Sequence, residues 1–248
     1  MTSLLSLLLL ACSVLATSFL SGVFGMAGGM VLIGILLILL DVAEAMILFG
    51  VTQTASNGWR CFLWRSHIRW PIFWRYALGS LAMFALFRFI AFLPDKMMIY
   101  LGMGLMPFLV ELLPSRWQPH IERRGAPFFC GALIMACQLL AGAAGNILDL
   151  FFNKSALDRK AIVATKAATQ TLAHILRVAY FGSLSLEALS TLPWWIYLSS
   201  IALAFTGTTM ATRVLNRMSD TDFKKWSRWI ILTVSAVYVL RGLLLAWA

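Results

Sequence analysis

Two short stretches of this sequence carry amide, imidazole and guanidinium side chains at helical spacing within otherwise apolar segments. One set is Gln53, Asn57 and Arg60, and the other is Gln170, His174 and Arg177. In both sets the spacing is i, i+4 and i+7, which places the side chains on one face of a helix. Such hydrogen-bond donors suit the oxygen atoms of an anion, and within lipid they must point into the helix bundle or into water.

The second polar set belongs to a diverged internal repeat. Nine of the 36 residues from 25 to 60 recur, without a gap, 117 positions downstream. The repeated positions are mainly polar residues and glycines, namely Gly25, Ala27, Gly28, Leu40, Asp41, Thr52, Gln53, Thr54 and Arg60. In a membrane protein such a repeat is typical of two half-molecules that enclose one central site.

A glycine-rich break precedes each polar helix. The breaks read GVFGMAGG at 22–29 and AGAAGN at 141–146. Glycine permits tight turns, and broken backbone at membrane depth is tolerated only where protein or a water-filled cavity covers it. Half-helix N-termini beside such breaks present unpaired N–H groups that suit an anion. Close packing of small residues between helices is the alternative explanation for these glycines.

The breaks and the polar helices together define the predicted substrate site. Its residues are Gly25, Gly28, Gly29, Thr52, Gln53, Asn57, Gly142, Gly145, Asn146, Lys166, Thr169 and Gln170. Lys166 would supply a full positive charge. His174 is the candidate for proton coupling, because an unperturbed histidine has a pKa of about 6.5. Lys166, Arg60 and Arg177 could instead extend to the membrane surface, and the sequence leaves both roles open for them.

The composition is that of an integral membrane protein. Hydrophobic residues make up 61% of the 248, the mean hydropathy is +0.85, and only 12% of the residues are charged. Residues 2–40 contain no charge. A helix of that length would be roughly twice as long as the bilayer core is thick. The chain must therefore turn within the bilayer or cross it twice, and lipid is an expected partner.

The net charge of +10 does not indicate nucleic-acid binding, because the basic residues lie between apolar segments and not on one soluble face. They cluster at 65–75, 116–124 and 213–228, which predicts that these three connections are cytoplasmic. The loop at 182–190 is equivalent to 65–75 in the repeat but holds a single charge, Glu187. Equivalent loops therefore face opposite sides, which predicts a repeat of inverted topology.

The predicted fold class is an all-α polytopic membrane protein with two inverted repeats of about five apolar helical elements each. Residues 1–113 form the first transmembrane repeat, 114–126 a cytoplasmic linker and 127–248 the second repeat. Each repeat starts with a broken or re-entrant hairpin that three helices follow. The predicted ranges are 3–40, 43–64, 71–93 and 97–113 in the first repeat, and 127–156, 161–181, 190–211 and 227–247 in the second.

Neither a metal site nor a disulfide framework is predicted. The four cysteines lie singly in apolar segments, without a CxxC motif or paired histidines; they are Cys12, Cys61, Cys130 and Cys137. No cofactor is expected either.

Longer motifs resemble those of a known family. SGVFGMAGGMVLIG near the N-terminus, the helix AEAMILFGVTQTASNGWR, the basic turn and helix HIRWPIFWRYALGSLAMF and a weaker second copy are similar to the sulfite exporter TauE/SafE family, over essentially the whole chain. The resemblance implies a transporter of the bacterial inner membrane for small anions that contain sulfur or carboxylate, such as sulfite and organosulfonates, with proton coupling as an option. The anion, the direction of transport and the formation of a homo-oligomer stay open.

Two other classes of function fit the residues less well. A membrane-embedded enzyme acting on a lipid or phosphate substrate would need acidic and Ser-Arg clusters at the breaks, or a nucleophilic serine beside glycine with a partner histidine, and GMAGG and GAAGN offer neither. A transporter of cations or of another small solute is disfavoured by the shortage of carboxylates at mid-membrane. Catalysis is therefore not expected.

Overall fold

The structure, a computed structural model, describes residues 4–24, 26–142, 144–215 and 220–247, and regular structure in these ranges is entirely helical. The α-helices of the first half are α1 (Leu4–Phe24), α2 (Met26–Leu39), α3 (Val42–Leu63), α4 (Trp70–Ile90) and α5 (Lys96–Leu112). Those of the second half are α6 (Ala126–Ala141), α7 (Gly145–Phe152), α8 (Arg159–Leu184), α9 (Leu186–Thr191), α10 (Trp194–Leu215) and α11 (Asp220–Trp247). The predicted all-α class and the predicted order of elements are confirmed.

The second half differs from the prediction in one element. The predicted helix at 190–211 is divided into α9 and α10, and α9 starts where Ser185 Oγ accepts a hydrogen bond of 3.3 Å from the Ala188 N–H. Leu192 is extended (φ −93°, ψ 132°), as expected for a residue before proline, and Pro193 follows it. A helix through this region is therefore interrupted for a local steric reason.

Three of the described helices are long and apolar enough to cross a membrane by length and composition: Leu4–Phe24, Trp70–Ile90 and Lys225–Trp247. Two further apolar segments, Ala27–Leu39 and Ala126–Ala141, are shorter. Large hydrophobic side chains such as Phe89 and Trp247 are almost fully exposed, at 92% and 91%. Such exposure is sustainable in lipid and unfavourable in water, so the chain is a multi-pass membrane protein.

The first hairpin is held by close contact between α1 and α2. A Cβ atom added at Gly28 would lie 2.1 Å from the Thr17 carbonyl oxygen and 2.3 Å from the Ser21 amide nitrogen. Only glycine therefore permits the two helix backbones to approach this closely. The predicted site residue Gly25 lies outside the described residues.

The second hairpin contains an abrupt turn. Gly142, directly after α6, has a φ of +78°, a backbone conformation that favours glycine. The eight residues of α7 then lead back toward the linker. There the Ile121 N–H donates to the Phe151 carbonyl over 3.0 Å, and Glu122 accepts from the Ala156 N–H over 2.9 Å. The linker therefore lies directly against the end of this hairpin.

Both polar helices start at an aspartate that the repeat shares. Asp41 is the N-cap of α3, and its backbone N–H donates to the Glu44 carboxylate over 3.3 Å. Asp158 is the N-cap of α8 and accepts from the Ala161 N–H over 2.9 Å. These hydrogen bonds satisfy amide groups that the first helical turn leaves without partners, so the two helices begin at equivalent points of the repeat.

Helices of equivalent order in the two halves make equivalent contacts. The helix α1 packs along α10, and correspondingly α6 packs along α4, while α3 packs along α8 and α5 along α11. Glycines lie at these crossings: a Cβ added at Gly79 would lie 1.9 Å from the Phe128 carbonyl, and one at Gly104 would lie 2.7 Å from the Val239 nitrogen. The pairing of α3 with α8 brings the two polar faces together at the centre.

Candidate functional site

A small cavity of about 40 Å³ lies between the two hairpins and the helices α3, α5 and α8. We call it the central cavity. Seven of the predicted site residues line it: Gly29, Gln53, Asn57, Gly145, Asn146, Gln170 and His174. The structure therefore brings residues of both glycine breaks and of both polar helices to one place.

The polar face of α3 forms a connected chain of hydrogen bonds along the cavity. Asn57 Nδ2 donates to the Gln53 backbone carbonyl over 2.9 Å and to Gln53 Oε1 over 3.3 Å. Arg60 Nη2 in turn donates to Asn57 Oδ1 over 2.7 Å. Arg60 lines the cavity and its Nε atom is buried without a hydrogen-bond partner among the described residues. The guanidinium is thus held at the cavity with N–H groups that remain available to a ligand.

The α8 side of the cavity is formed by Gln170 and His174. His174 is 6% exposed, and its ring meets the Phe49 ring edge-on with 5.5 Å between the centroids. Its Nδ1 atom is buried and makes no hydrogen bond to a described residue. A buried ring nitrogen without a partner is unfavourable unless a water molecule or a ligand satisfies it.

Arg177 is turned inward but does not line the cavity. It is fully buried, its Nη2 donates to the backbone carbonyls of Gln138, over 3.1 Å, and of Gly142, and its Cζ lies 4.9 Å from the centre of the Phe49 ring. A cation at the last carbonyl groups of a helix offsets their partial negative charge, here at the end of α6. Arg177 therefore fixes the second break from within the bundle.

Four further predicted residues lie near the cavity without lining it. Gly28 packs against α1, and the Gly142 carbonyl accepts from Arg177. Thr52 Oγ1 donates to the Leu48 carbonyl over 2.8 Å, and Thr169 Oγ1 donates to the Lys166 carbonyl over 2.9 Å.

Lys166 is also outside the cavity. Its Nζ is paired with the Asp149 carboxylate of α7.

Sequence reasoning missed two buried polar side chains at the ends of the hairpin helices. Ser21 lies in the last turn of α1 and Gln138 in the last turn of α6, and both line the cavity at exposures of 1% and 3%. Ser21 Oγ and Gln138 Oε1 are buried without a hydrogen-bond partner among the described residues. They are related by the repeat, since 138 − 21 = 117. That spacing was the available signal, although the two residues are not identical.

One wall of the cavity is apolar and was also not predicted. It is formed by Met30 of α2 and by Met103, Met106 and Pro107 of α5. Methionine is flexible and polarisable, so such a wall adapts to groups of different shape.

The charges around the cavity are of one sign. Among the described residues that line it, Arg60 is the one with a permanent charge, and no carboxylate lines it. The first backbone amides of α7, at Gly145 and Asn146, lie at the same cavity. A helix N-terminus carries a partial positive charge. The described residues contain no cluster of three or more His, Cys, Asp or Glu side chains that could hold a metal ion.

Comparison with known proteins decides the family. A sequence model described as Sulfite exporter TauE/SafE matches residues 9–239. The chain belongs to the sulfite exporter TauE/SafE family. No curated protein and no solved structure matches the chain in the corresponding comparisons.

Membership of the TauE/SafE family confirms the resemblance seen in the motifs and identifies the chain as a member of a family of membrane transporters. The matched region contains both glycine breaks and both polar helices, so the whole central cavity lies within it. The family is one of transporters and not of enzymes.

Proposed function

We propose that this TauE/SafE protein is a secondary transporter that moves a small sulfur or carboxylate anion across the bacterial inner membrane by alternating access. The observation that carries the proposal is the charge of the central cavity. Arg60 lines it and no carboxylate does, among the residues that the structure describes. A cation site within a membrane would normally use carboxylates, whereas an anion needs donors and positive charge.

The substrate oxygens bind to donors from both halves. Gln53, Asn57 and Arg60 come from the first half, and Gln170 and the first amides of α7 come from the second. Each hydrogen bond from a charged donor contributes about 1.5–3 kcal/mol, and neutral amide donors contribute about 1 kcal/mol each. A site shared in this way is disrupted when the halves move apart, which is the requirement for alternating access.

The methionine wall supports a substrate with an organic part. The oxygen-binding groups lie on α3, α7 and α8, and the wall of Met103, Met106 and Pro107 lies on α5. A sulfonate or carboxylate with a short apolar substituent has a matching division into a charged end and an apolar end. Sulfite lacks the apolar part and leaves this wall without contact.

His174 is the proposed site of proton coupling. Its buried Nδ1 makes no hydrogen bond to a residue that the structure describes, and His174 lines the same cavity as Arg60. A bound anion and a proton on the imidazole offset each other's charge, so each favours the binding of the other. Symport of an anion with a proton would follow from this reciprocity.

The two halves are proposed to have inverted topology, with the basic connections in the cytoplasm. The equivalent pairing of helices supports two related halves, and the single charge in 182–190 against the basic stretch 65–75 supports opposite orientation. An all-helical protein with positively charged connections on one side suits an inner membrane.

Transport into proteoliposomes tests the proposal. Purified protein is reconstituted, and uptake of radiolabelled sulfite, methanesulfonate and acetate is measured for the wild type and for Arg60→Gln. Loss of one charge-assisted hydrogen bond is expected to raise the anion concentration at half-maximal uptake by about 10- to 100-fold.

The matched control is Arg65→Gln, because Arg65 is exposed at the end of α3, donates to the Phe62 carbonyl over 3.1 Å and does not line the cavity. Equal uptake by the two variants at low anion concentration would remove Arg60 from the path of the anion. Uptake of none of the three anions by the wild type would contradict the proposed substrate class.

A further inference from the structure

A second cavity lies next to the central cavity, toward the end of the bundle that we call the basic face. That face carries the connections 64–69, 113–125 and 153–158. The second cavity is lined by the C-terminal end of α5, by α7 and by the N-terminal part of α11. Pro107 and Asn146 line both cavities, so these two side chains lie in the wall between them.

An ion pair lies beside this wall. Lys166 Nζ pairs with the Asp149 carboxylate and thereby joins α8 to α7. Asp149 follows Asn146 by one turn and lines the second cavity, and Lys166 precedes Gln170 of the central cavity by one turn. The two side chains are 24% and 40% exposed, so a hydrated solute can reach them. Lys166 lines neither cavity itself; it is joined through Asp149 to the second cavity and precedes Gln170 of the central cavity by about 6 Å along α8.

The other ion pair of the second cavity is held more firmly. Arg228 donates to both oxygens of Glu111, each over 3.0 Å, and so joins α11 to α5. A bidentate pair of this kind is the stronger arrangement, and its cation is occupied. An anion entering this cavity therefore meets the Arg228–Glu111 pair and the Asp149 carboxylate. Lys166 is bound to Asp149 and is not held by a bidentate pair, so it is the cation that an anion takes over more easily of the two.

The first half has no such pair at the equivalent positions. Asp149 corresponds to Leu32 and Lys166 to Phe49, since 149 − 117 = 32 and 166 − 117 = 49. Leu32 and Phe49 are buried, at 0% and 2%, in one hydrophobic cluster. The equivalent positions are therefore apolar in one half and form an ion pair in the other.

We propose that the second cavity is the anion's route between the central cavity and the basic face, and that Lys166 is an anion-binding station on this route which exchanges Asp149 for the anion. The inference rests on the proposed function. The exchange keeps a negative partner on the ammonium, so no bare charge is left in the membrane. Asp149 stays solvated in the second cavity. Lys166 then passes the anion to Gln170 and the central cavity.

Thiol labelling from the basic face tests this route. In a background in which the four native cysteines are replaced, Met103→Cys reports access to the central cavity, and Leu232→Cys reports access to the second cavity. Inside-out vesicles are treated with two membrane-impermeant methanethiosulfonates of similar size, one with a sulfonate group and one with a trimethylammonium group.

The first half supplies the design of the matched variant. The double substitution Lys166→Phe with Asp149→Leu copies the apolar residues Phe49 and Leu32 of the first half. It is expected to slow labelling of Met103→Cys by the anionic reagent about tenfold, since a cation on a route raises the local anion concentration by that order. Labelling by the cationic reagent is expected to change less than twofold. Asp149→Asn, which releases Lys166 without removing it, is expected to accelerate anionic labelling severalfold. Monodisperse elution in detergent checks the fold of each variant.

Three results would overturn the inference. They are equal anionic labelling in the double variant and the background, an equal slowing of both reagents, and failure of Leu232→Cys to react from the basic face. Labelling does not require transport, so these results are independent of the uptake assay for Arg60. Normal uptake with an unaltered labelling rate would reject the route and leave the transport proposal standing. Slower anionic labelling in the double variant, together with a wild type that takes up none of the anions, would support the route and reject the transport proposal.

Discussion

Replacing the neighbouring glycines Gly28 and Gly29 by alanine is predicted to have different effects: the change at Gly28 lowers stability, and the change at Gly29 weakens anion binding. A Cβ at Gly28 would lie 2.1 Å from the Thr17 carbonyl oxygen, which is backbone and cannot rotate away. Ordinary contact begins at about 3.4 Å, so α1 and α2 must separate by about 1.3 Å (3.4 − 2.1). Overpacking of this kind costs about 1–3 kcal/mol or more, which exceeds the gain of about 1 kcal/mol from higher helix propensity.

The one close approach of a Cβ at Gly29 is to a flexible side chain, since Phe49 Cζ, at 3.6 Å, is at ordinary contact distance. The nearest atoms to this Cβ would be Gln53 Nε2 at 2.9 Å and Gln53 Cδ at 3.5 Å, at the wall of the central cavity. The Gln53 amide can rotate away, so stability is expected to change little. Its hydrogen bond to the substrate is lost instead, and loss of about 1 kcal/mol weakens anion binding by roughly fivefold.

Thermal unfolding in detergent and equilibrium anion binding separate the two effects. Gly28→Ala should lower the melting temperature by about 5 °C, because 1 kcal/mol corresponds to about 2–4 °C for a chain of this size. Gly29→Ala should shift it by less than about 2 °C while weakening binding. Gly58→Ala is the control, since its Cβ would have ordinary contact, 3.7 Å from Thr171 Cγ2. An unchanged melting temperature for Gly28→Ala, or equal losses for Gly28→Ala and Gly29→Ala, would refute the assigned packing.

Two further predictions concern coupling and helix association. His174→Gln should abolish the stimulation of anion uptake by an imposed proton gradient while leaving counterflow exchange at equal pH measurable; stimulation that persists would show that another group carries the proton. Ser56 and Thr208 are buried and share a hydrogen bond of 2.7 Å between α3 and α10. A double-mutant cycle of Ser56→Ala and Thr208→Val should give a coupling energy of about 0.6–1.7 kcal/mol in unfolding experiments, and zero coupling would contradict the contact.

The helices were predictable because their lengths and boundaries depend on local signals. Asp41 and Asp158 mark the starts of α3 and α8 as N-caps, and the spacing of Gln53 and Asn57 fixes which side chains share a face. These signals are independent of the rest of the fold. The division of α9 from α10 also has a local cause, Pro193, but the apolar pattern on both sides of it concealed the break.

Residues whose role depends on tertiary contacts were not predictable. Met103 and Met106 lie on an apolar helix, and the sequence does not distinguish a side chain facing lipid from one facing the cavity. The partner of Lys166 depends on α7 having only eight residues, which brings Asp149 beside it. Gln138 was predictable from the repeat, because it and its equivalent Ser21 are both polar although they are not identical.

The arginines Arg60 and Arg177 are equivalent in the repeat, yet the structure gives them different contacts. Arg177 Nη2 donates to the Gln138 and Gly142 carbonyls, and its guanidinium lies over Phe49, so its charge stabilises the second break. Arg60 Nη2 donates to Asn57 Oδ1 of its own helix over 2.7 Å, and Arg60 lines the cavity. Both guanidiniums keep buried nitrogens without a hydrogen-bond partner among the described residues, Nε in Arg60 and Nε and Nη1 in Arg177, so spare donors do not distinguish them. Their positions do, since Arg60 lines the central cavity and Arg177 does not. Duplication supplied two equivalent arginines, and of these two it is Arg60 that an anion in the cavity can reach.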